Sequence, residues 1–284
     1  MRKFNLSIIA SRALSILFLV GASFMLPAMQ TYAQCEHENK AFQAGEALTY
    51  DLYFNWKFIW VKAGTANYSV KKTTYKGQES LRTDLLFQGS KRLNSVFPMK
   101  DTLISQMTPT MVPLYYRKGA VEGKRYTVDE VWYSYPNGKS HVNQHFLTHE
   151  GELLKTQHET DECNYDMLSI LNVARSFDAS DYKVGQRIHF PMATGKKVEE
   201  QTLVYKGKEV FEANDDVKYR CLVFSLLDYD VKDKDKEMLR FYVTDDQNHL
   251  PVRIDFYLRF GTAKAFYKSG KGLKNPQTSI VKKK

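Results

Sequence analysis

Apolar side chains return at every second position along most of this chain. Leu48, Tyr50, Leu52 and Phe54 alternate with Thr49, Asp51 and Tyr53. Leu81, Thr83, Leu85 and Phe87 oppose Arg82, Asp84 and Gln88, while Val252, Ile254, Phe256, Leu258 and Phe260 oppose Arg253, Asp255, Tyr257 and Arg259. Successive side chains of a strand point to opposite faces. The period therefore predicts strands with one buried and one wetted face, the habit of antiparallel sheets. Turn chemistry falls between the runs. Pro136-Asn137-Gly138 predicts a hairpin whose return strand is 139–148, and Asp245-Asp246-Gln247-Asn248 predicts a second between Leu239–Thr244 and Leu250–Phe260. Gly64 interrupts a strand-like run from Trp56 to Val70 and marks a bulge or bend.

A helical period is clear in one place. Met167, Ile170, Leu171, Ala174 and Phe177 recur at three- and four-residue spacing, with Asn164 or Asp166 available as the N-cap. Lys91 to Phe97 is a second, weaker helical segment. The predicted fold class is mainly β: a long antiparallel meander forming a strongly curved sheet or incomplete barrel, with one amphipathic helix packed against it.

The N-terminus departs from this pattern. Met1-Arg2-Lys3 precedes an uncharged run from Ala13 to Leu26, and small residues end at Ala33 before Gln34. A basic start, a short apolar middle and a small-residue end predict a secretory signal peptide over 1–33, cut between Ala33 and Gln34. The run is shorter than the ~20 residues that spanning requires, and no later stretch approaches that length. The expected location is therefore the periplasm or cell envelope, with no transmembrane span after signal removal. Cys35 invites a lipid anchor, but Gln34 beside it fits that reading poorly. Of the three cysteines, Cys163 and Cys221 are the pair weighed for a disulfide, although a buried thiol suits either position equally well.

Charge comes next because it misleads. The 284 residues carry 41 Lys+Arg against 32 Asp+Glu, a net charge of +9 that suggests nucleic acid. Arg2, Lys3 and Arg12 leave with the signal peptide. Lys268, Lys271, Lys274, Lys282, Lys283 and Lys284 lie in a Gly-, Ser- and Asn-rich stretch over 268–284, expected to be a disordered basic tail. The β-rich domain between them, 34–267, has 32 basic and 32 acidic residues, so no nucleic-acid partner is assigned.

Few motifs carry chemistry. His141, His145 and His149, with His158 beyond, have a spacing that grips a metal on a helix. On the expected hairpin strand, four residues separate Cα atoms by ~13 Å, too far for one zinc. Asp228 to Glu237 places acids at alternate positions. It lacks the glycine and terminal glutamate of a calcium loop, and its interleaved lysines repel a cation. Gly119 to Arg125 is one residue short of a phosphate loop and lacks the hydroxyl residue after Lys124. No catalytic residue, metal ligand or cofactor is assigned. Trp56 and Trp60, read as sharing a face of one run, are the candidate ligand-binding residues if the sheet is curved and open.

Three segments taken in order resemble a known family. Gly45-Glu46-Ala47-Leu48-Thr49-Tyr50 leads to Trp60 and Ala63-Gly64-Thr65-Ala66. Tyr165-Asp166-Met167-Leu168-Ser169 opens the helix that ends near Arg175, with Gly185 beyond. Thr244-Asp245-Asp246 leads to Leu250-Pro251-Val252-Arg253-Ile254 and Gly261. Together they resemble the exported bacterial domain-of-unknown-function 3108 family. That resemblance implies a secreted or envelope protein and brings no activity, cofactor or catalytic residue with it. The expected function is non-catalytic binding of a lipid or other hydrophobic ligand in a curved sheet. A structural protein meeting an envelope partner through sheet edges or the tail is the alternative, and a histidine-based metal-dependent hydrolase the third reading.

Overall fold

A computed structural model describes residues 35–56, 59–213, 217–227, 236–258 and 261–282. The expected cleavage point at Ala33 and Gln34 lies outside these residues, as does most of the acidic segment 228–237. Fourteen strands run as one antiparallel meander among the described residues. They are β1 (Ala47–Trp56), β2 (Ile59–Tyr75), β3 (Gln78–Gly89), β4 (Met99–Met107), β5 (Pro113–Glu122), β6 (Arg125–Ser134) and β7 (Ser140–Leu147). The series continues with β8 (Leu153–Thr160), β9 (Arg187–Ala193), β10 (Val198–Glu212), β11 (Lys218–Leu227), β12 (Glu237–Thr244), β13 (Pro251–Leu258) and β14 (Gly261–Lys271). β1 pairs with β14, so the two runs join and the free edges are β8 and β9. A short β15 (Ile280–Lys282) pairs with β11.

The predicted turns are present. Pro136–Gly138 makes a tight turn with Asn137 at φ 55°, and β7 follows. Gly64 faces Leu52 where the β1–β2 register slips. A Cβ there would lie 2.1 Å from the Gln88 carbonyl oxygen, so only glycine allows β3 to approach. The weaker helical segment is a single turn, α1 (Lys91–Asn94), capped by Ser90. The long connection from β8 to β9 carries α2 (Met167–Arg175).

The curl of the sheet follows from what α2 touches. Nine residues of helix span only ~13 Å. In a flat sheet, strands spaced ~4.8 Å apart would put β4 and β9 about 43 Å from each other. Yet Asp166, at the start of α2, accepts a hydrogen bond from Ser105 of β4, while the adjacent Tyr165 bridges Met192 of β9. The sheet must therefore wrap around the helix. Its edges approach without closing: Gly195 N–H donates to Gln144 of β7, and Thr156 of β8 donates to the Lys196 carbonyl.

Three sequence expectations are corrected. The apolar stripe of α2 is not its most buried face: Met167 is exposed and Ile170, Leu171 and Phe177 are partly buried, whereas Leu168, Ser169, Asn172, Val173 and Arg175 are buried. The disulfide joins Cys35 to Cys163, with Cα atoms 5.2 Å apart, and Cys221 is a buried free thiol. The stretch from Lys268, expected to be disordered, belongs to β14, a docked loop and β15 as far as Lys282. Composition alone did not show its anchors. Asn248 bonds the Asn275 and Pro276 carbonyls and the Asn275 N–H, and Asp246 accepts from the Ser279 N–H.

The cross-link spans 128 residues of sequence, so removing it enlarges the unfolded ensemble. Cys35→Ser/Cys163→Ser is expected to cost about 4 kcal/mol in urea unfolding. Thiol titration of unreduced, denatured protein should find only Cys221. A titre of three cysteines per chain would refute the bridge.

Candidate functional site: a lumen floored by a polar helix

The floor of the curled sheet is the inner face of α2. Asp166, Ser169, Asn172 and Arg175 recur every three residues, and all four are buried. Asp166 caps the helix: one carboxylate oxygen accepts from the Leu168 and Ser169 N–H groups, both at 2.9 Å, and the other accepts from the Ser105 hydroxyl at 3.0 Å. Ser169 returns the contact by accepting from the Asp166 N–H at 2.8 Å, which completes a capping box. Asn172 donates to Thr83 of β3 at 2.8 Å and accepts from the Tyr68 hydroxyl of β2 at 2.6 Å. Arg175 forks onto Glu46, just before β1, at 2.6 and 3.1 Å. Its Nε donates to the Asn248 carbonyl in the β12–β13 turn. Four successive elements of the sheet thus each contribute a partner to the helix.

Electrostatics here is set by dehydration. Burial raises the Asp166 carboxyl to about 6 against the three hydrogen bonds that favour its charged form. Burial likewise raises the Tyr68 hydroxyl to about 12, with the Arg175 charge opposing. Arg175 and Glu46 are both buried, and the bidentate geometry satisfies the charge that neither could carry alone.

Above this floor the lumen has two unlike walls. On one side a cavity of about 50 Å³ is lined by Tyr50, Leu85, Phe87, Ile254, Phe256 and the Arg175 stem, among others. Phe87, Leu85, Ile254 and Phe256 are only half buried. On the other side the register lays out charged rungs: Leu85, Leu103, Lys118, Asp129 and Phe146 stand opposite one another across β3 to β7. The next rung reads Phe87, Asp101, Ala120 and Thr127. Burial raises both the Asp101 and Asp129 carboxyls, with Lys118 the principal cation opposing. Asp101 Oδ1 is buried without a hydrogen-bond partner. Asp101 stands between Phe87 of the apolar cavity and Ala120 of a second hollow of about 330 Å³, whose lining includes Glu122, Arg125, His149 and Lys196. An amphiphile would find hydrocarbon on one wall and ionic partners on the other.

The two sequence-predicted ligand residues do not share a face. β1 and β2 are separate strands: Trp56 pairs with Ile59 and Trp60 with Asn55. Directly paired residues share a face, so the two tryptophan positions lie on alternate faces. Trp60 is exposed, with the Lys264 ammonium 4.5 Å from its ring centre. Asp166 was legible as a cap, but the inward direction of Asn172 and Arg175 was not. Leu85, Phe87, Ile254 and Phe256 were legible as one-faced strand residues, and their half-burial was the missing signal. His141 and His145 lie along β7, His149 in the following turn and His158 on β8. His145 packs on Trp132 and His141 meets Glu159 at 3.3 Å. Among the described residues no three metal-ligand side chains converge.

Arg175→Met leaves the Glu46 carboxylate buried without its cation. It is expected to cost about 3–5 kcal/mol, much of it recovered in Glu46→Gln/Arg175→Met, because two neutral groups replace two charges. A single variant within 1 kcal/mol of the parent, by urea unfolding, would exclude this role. The Asp166 carboxyl is raised on folding, so its contribution to stability is full below about pH 4 and is lost as pH rises through about 6. Asp166→Asn keeps the cap and removes the titration. Parent minus variant stability should therefore fall by up to ~3 kcal/mol between about pH 4 and pH 7, and a pH-independent difference would contradict it.

Comparison with solved structures places the fold. The chain is similar to the crystal structure of a beta-barrel-like protein of domain of unknown function DUF1849 from Brucella abortus. The TM-score is 0.51 at 9% identity, over 81% of this chain and 98% of that one. No curated protein matches the sequence. The family described as Protein of unknown function (DUF3108) matches residues 49–268, from the third residue of β1 into β14. The match spans α2 and all but the ends of the meander's β1 and β14, and this chain belongs to the DUF3108 family.

Proposed function

We propose that this is an exported envelope protein that holds an apolar or amphipathic small molecule in the lumen above α2. The observation that carries this reading is the half-buried wall of Leu85, Phe87, Ile254 and Phe256 adjoining the Asp101–Lys118–Asp129 rungs. Apolar side chains left partly open in a concavity, with a few polar groups converging beside them, are the usual composition of a small-molecule site. The cavity of about 50 Å³ is small, so a ligand of lipid size extends along the wall toward the larger hollow. Export is supported by the signal-peptide pattern that the sequence predicts over 1–33 and by the Cys35–Cys163 pairing, since such bonds persist in oxidising compartments.

One observation favours the alternative of a protein partner. β8 is a free edge, and all but the last of its residues are exposed. The tail gives that reading less, because residues 272–280 pack onto the β12–β13 turn.

Native mass spectrometry of protein purified from its own envelope fraction should show a stoichiometric apolar adduct, extractable into organic solvent. Phe87→Asp should reduce occupancy at least tenfold. Protein that carries no adduct and takes up no fluorescent fatty-acid probe at micromolar concentration would refute the reading.

A further inference from the structure

The exposed apolar side chains are unevenly distributed. Ile59, Trp60, Val61, Val96, Phe97 and Leu258 all stand at one end of the sheet, where β1 turns to β2, β3 to β4 and β13 to β14. Val96 is 86% exposed and Ile59 65%, far more than packing between hairpin tips would leave. These tips form a continuous rim. Phe54 of β1 pairs with both Val61 and Ala263, and Ser90 N–H donates to the Ala63 carbonyl at 2.7 Å. Gly123 N–H donates to the Pro98 carbonyl at 2.7 Å, with the Phe97 ring lying against Gly123. The rim borders the open end of the lumen along the arc from β13 to β6, two residues beyond Phe87 along β3.

The rim is also cationic. Lys62, Lys91, Arg92, Lys100, Lys124 and Arg125 are exposed along it, and Lys62 is paired with Asp51. Across residues 59–64, 88–100 and 119–127 the only acidic side chain is Glu122, and the acids Glu150 and Glu152 at this end of the sheet lie further round, in the β7–β8 turn. The domain as a whole is balanced in charge, so this excess is local.

We propose that this end of the sheet docks on an anionic bilayer, with the tip aliphatics and Trp60 entering the headgroup boundary and the surrounding cations meeting lipid phosphates. Apolar side chains raised on separate hairpin tips suit a soft, fluid surface better than a protein partner, which needs a continuous complementary face. Each cation near an anionic surface adds attraction that salt weakens, and aromatic rings with basic neighbours are the side chains that settle at a bilayer interface. Docking would set the lumen mouth against a store of apolar molecules. It stands independently of whether the lumen carries a ligand.

Flotation with phospholipid vesicles tests it, using protein obtained by expressing the whole chain. The parent should float with vesicles of equal phosphatidylglycerol and phosphatidylcholine, and poorly with phosphatidylcholine alone. Flotation should fall as salt rises from about 0.1 to about 0.5 M. Ile59→Asp/Val96→Asp should lower vesicle partition at least tenfold with the melting temperature unchanged, whereas Val184→Asp, exposed elsewhere, should leave it unchanged. Lys91→Glu/Arg92→Glu, on the exposed turn of α1, should remove the preference for anionic vesicles and guards against a fold defect in the first variant. Equal flotation of parent and both rim variants would overturn the proposal. So would a rim variant that converts a dimer to a monomer in light scattering, since the rim would then be an interface between copies of the chain.

Discussion

The Arg175 guanidinium is the contact on which the remaining structure converges. It lies inside the sheet, neutralised by Glu46 at the entrance to β1, bonded to the Asn248 carbonyl of the β12–β13 turn, and near the rings of Phe42 and Tyr68. A charge so placed tolerates little displacement, because any lost partner leaves an ion in a dry interior. The pair therefore holds the start of the meander, its far half and the C-terminal end of α2 in one arrangement. The same turn that receives Arg175 also carries Asp246 and Asn248, which clamp residues 275–279. Order in the C-terminal stretch thus traces back to the helix.

Putting the polar face of α2 inward has a second effect. A helix whose apolar stripe filled the concavity would make an ordinary core. Here Asp166, Asn172 and Arg175 consume polar groups of β2 to β4 and Glu46, and among the α2 residues only Leu171 and Arg175 reach the aromatic wall above them. Phe87 and Phe256 are half open for that reason. The charged rungs on β4 to β6 adjoin that wall, their carboxylates raised by dehydration. A lumen with unlike walls is the consequence, and its mouth is bordered by the basic, apolar hairpin tips.

Local features were legible in the sequence because they are decided locally. The alternation of Leu81, Thr83, Leu85 and Phe87, the turn at Pro136–Gly138, the bend at Gly64 and the Asp166 cap each depend on a few neighbouring residues. The misreadings share a different origin. Trp56 and Trp60 are in phase on a continuous strand but out of phase once the chain turns between them, since one hairpin resets the alternation. Cys35 and Cys163 are separated by 128 residues, a distance about which sequence spacing is silent. Residues 268–282 have the composition of a free tail, yet hydrogen bonds from Asn248 and Asp246 hold them.

By itself the sequence determined a mainly β chain, its strand phases, its turns, its one substantial helix and the balanced charge of the body. These follow from side-chain period and backbone preference, which act over a few residues. Only the tertiary structure decided which face of α2 turned inward, which cysteines met, how far the sheet curled and which half-buried residues surround the lumen. Those outcomes depend on partners brought together from distant parts of the sequence, chiefly Glu46, Arg175 and Asn248. Burial, and not sequence spacing, selects among the ways such partners can meet.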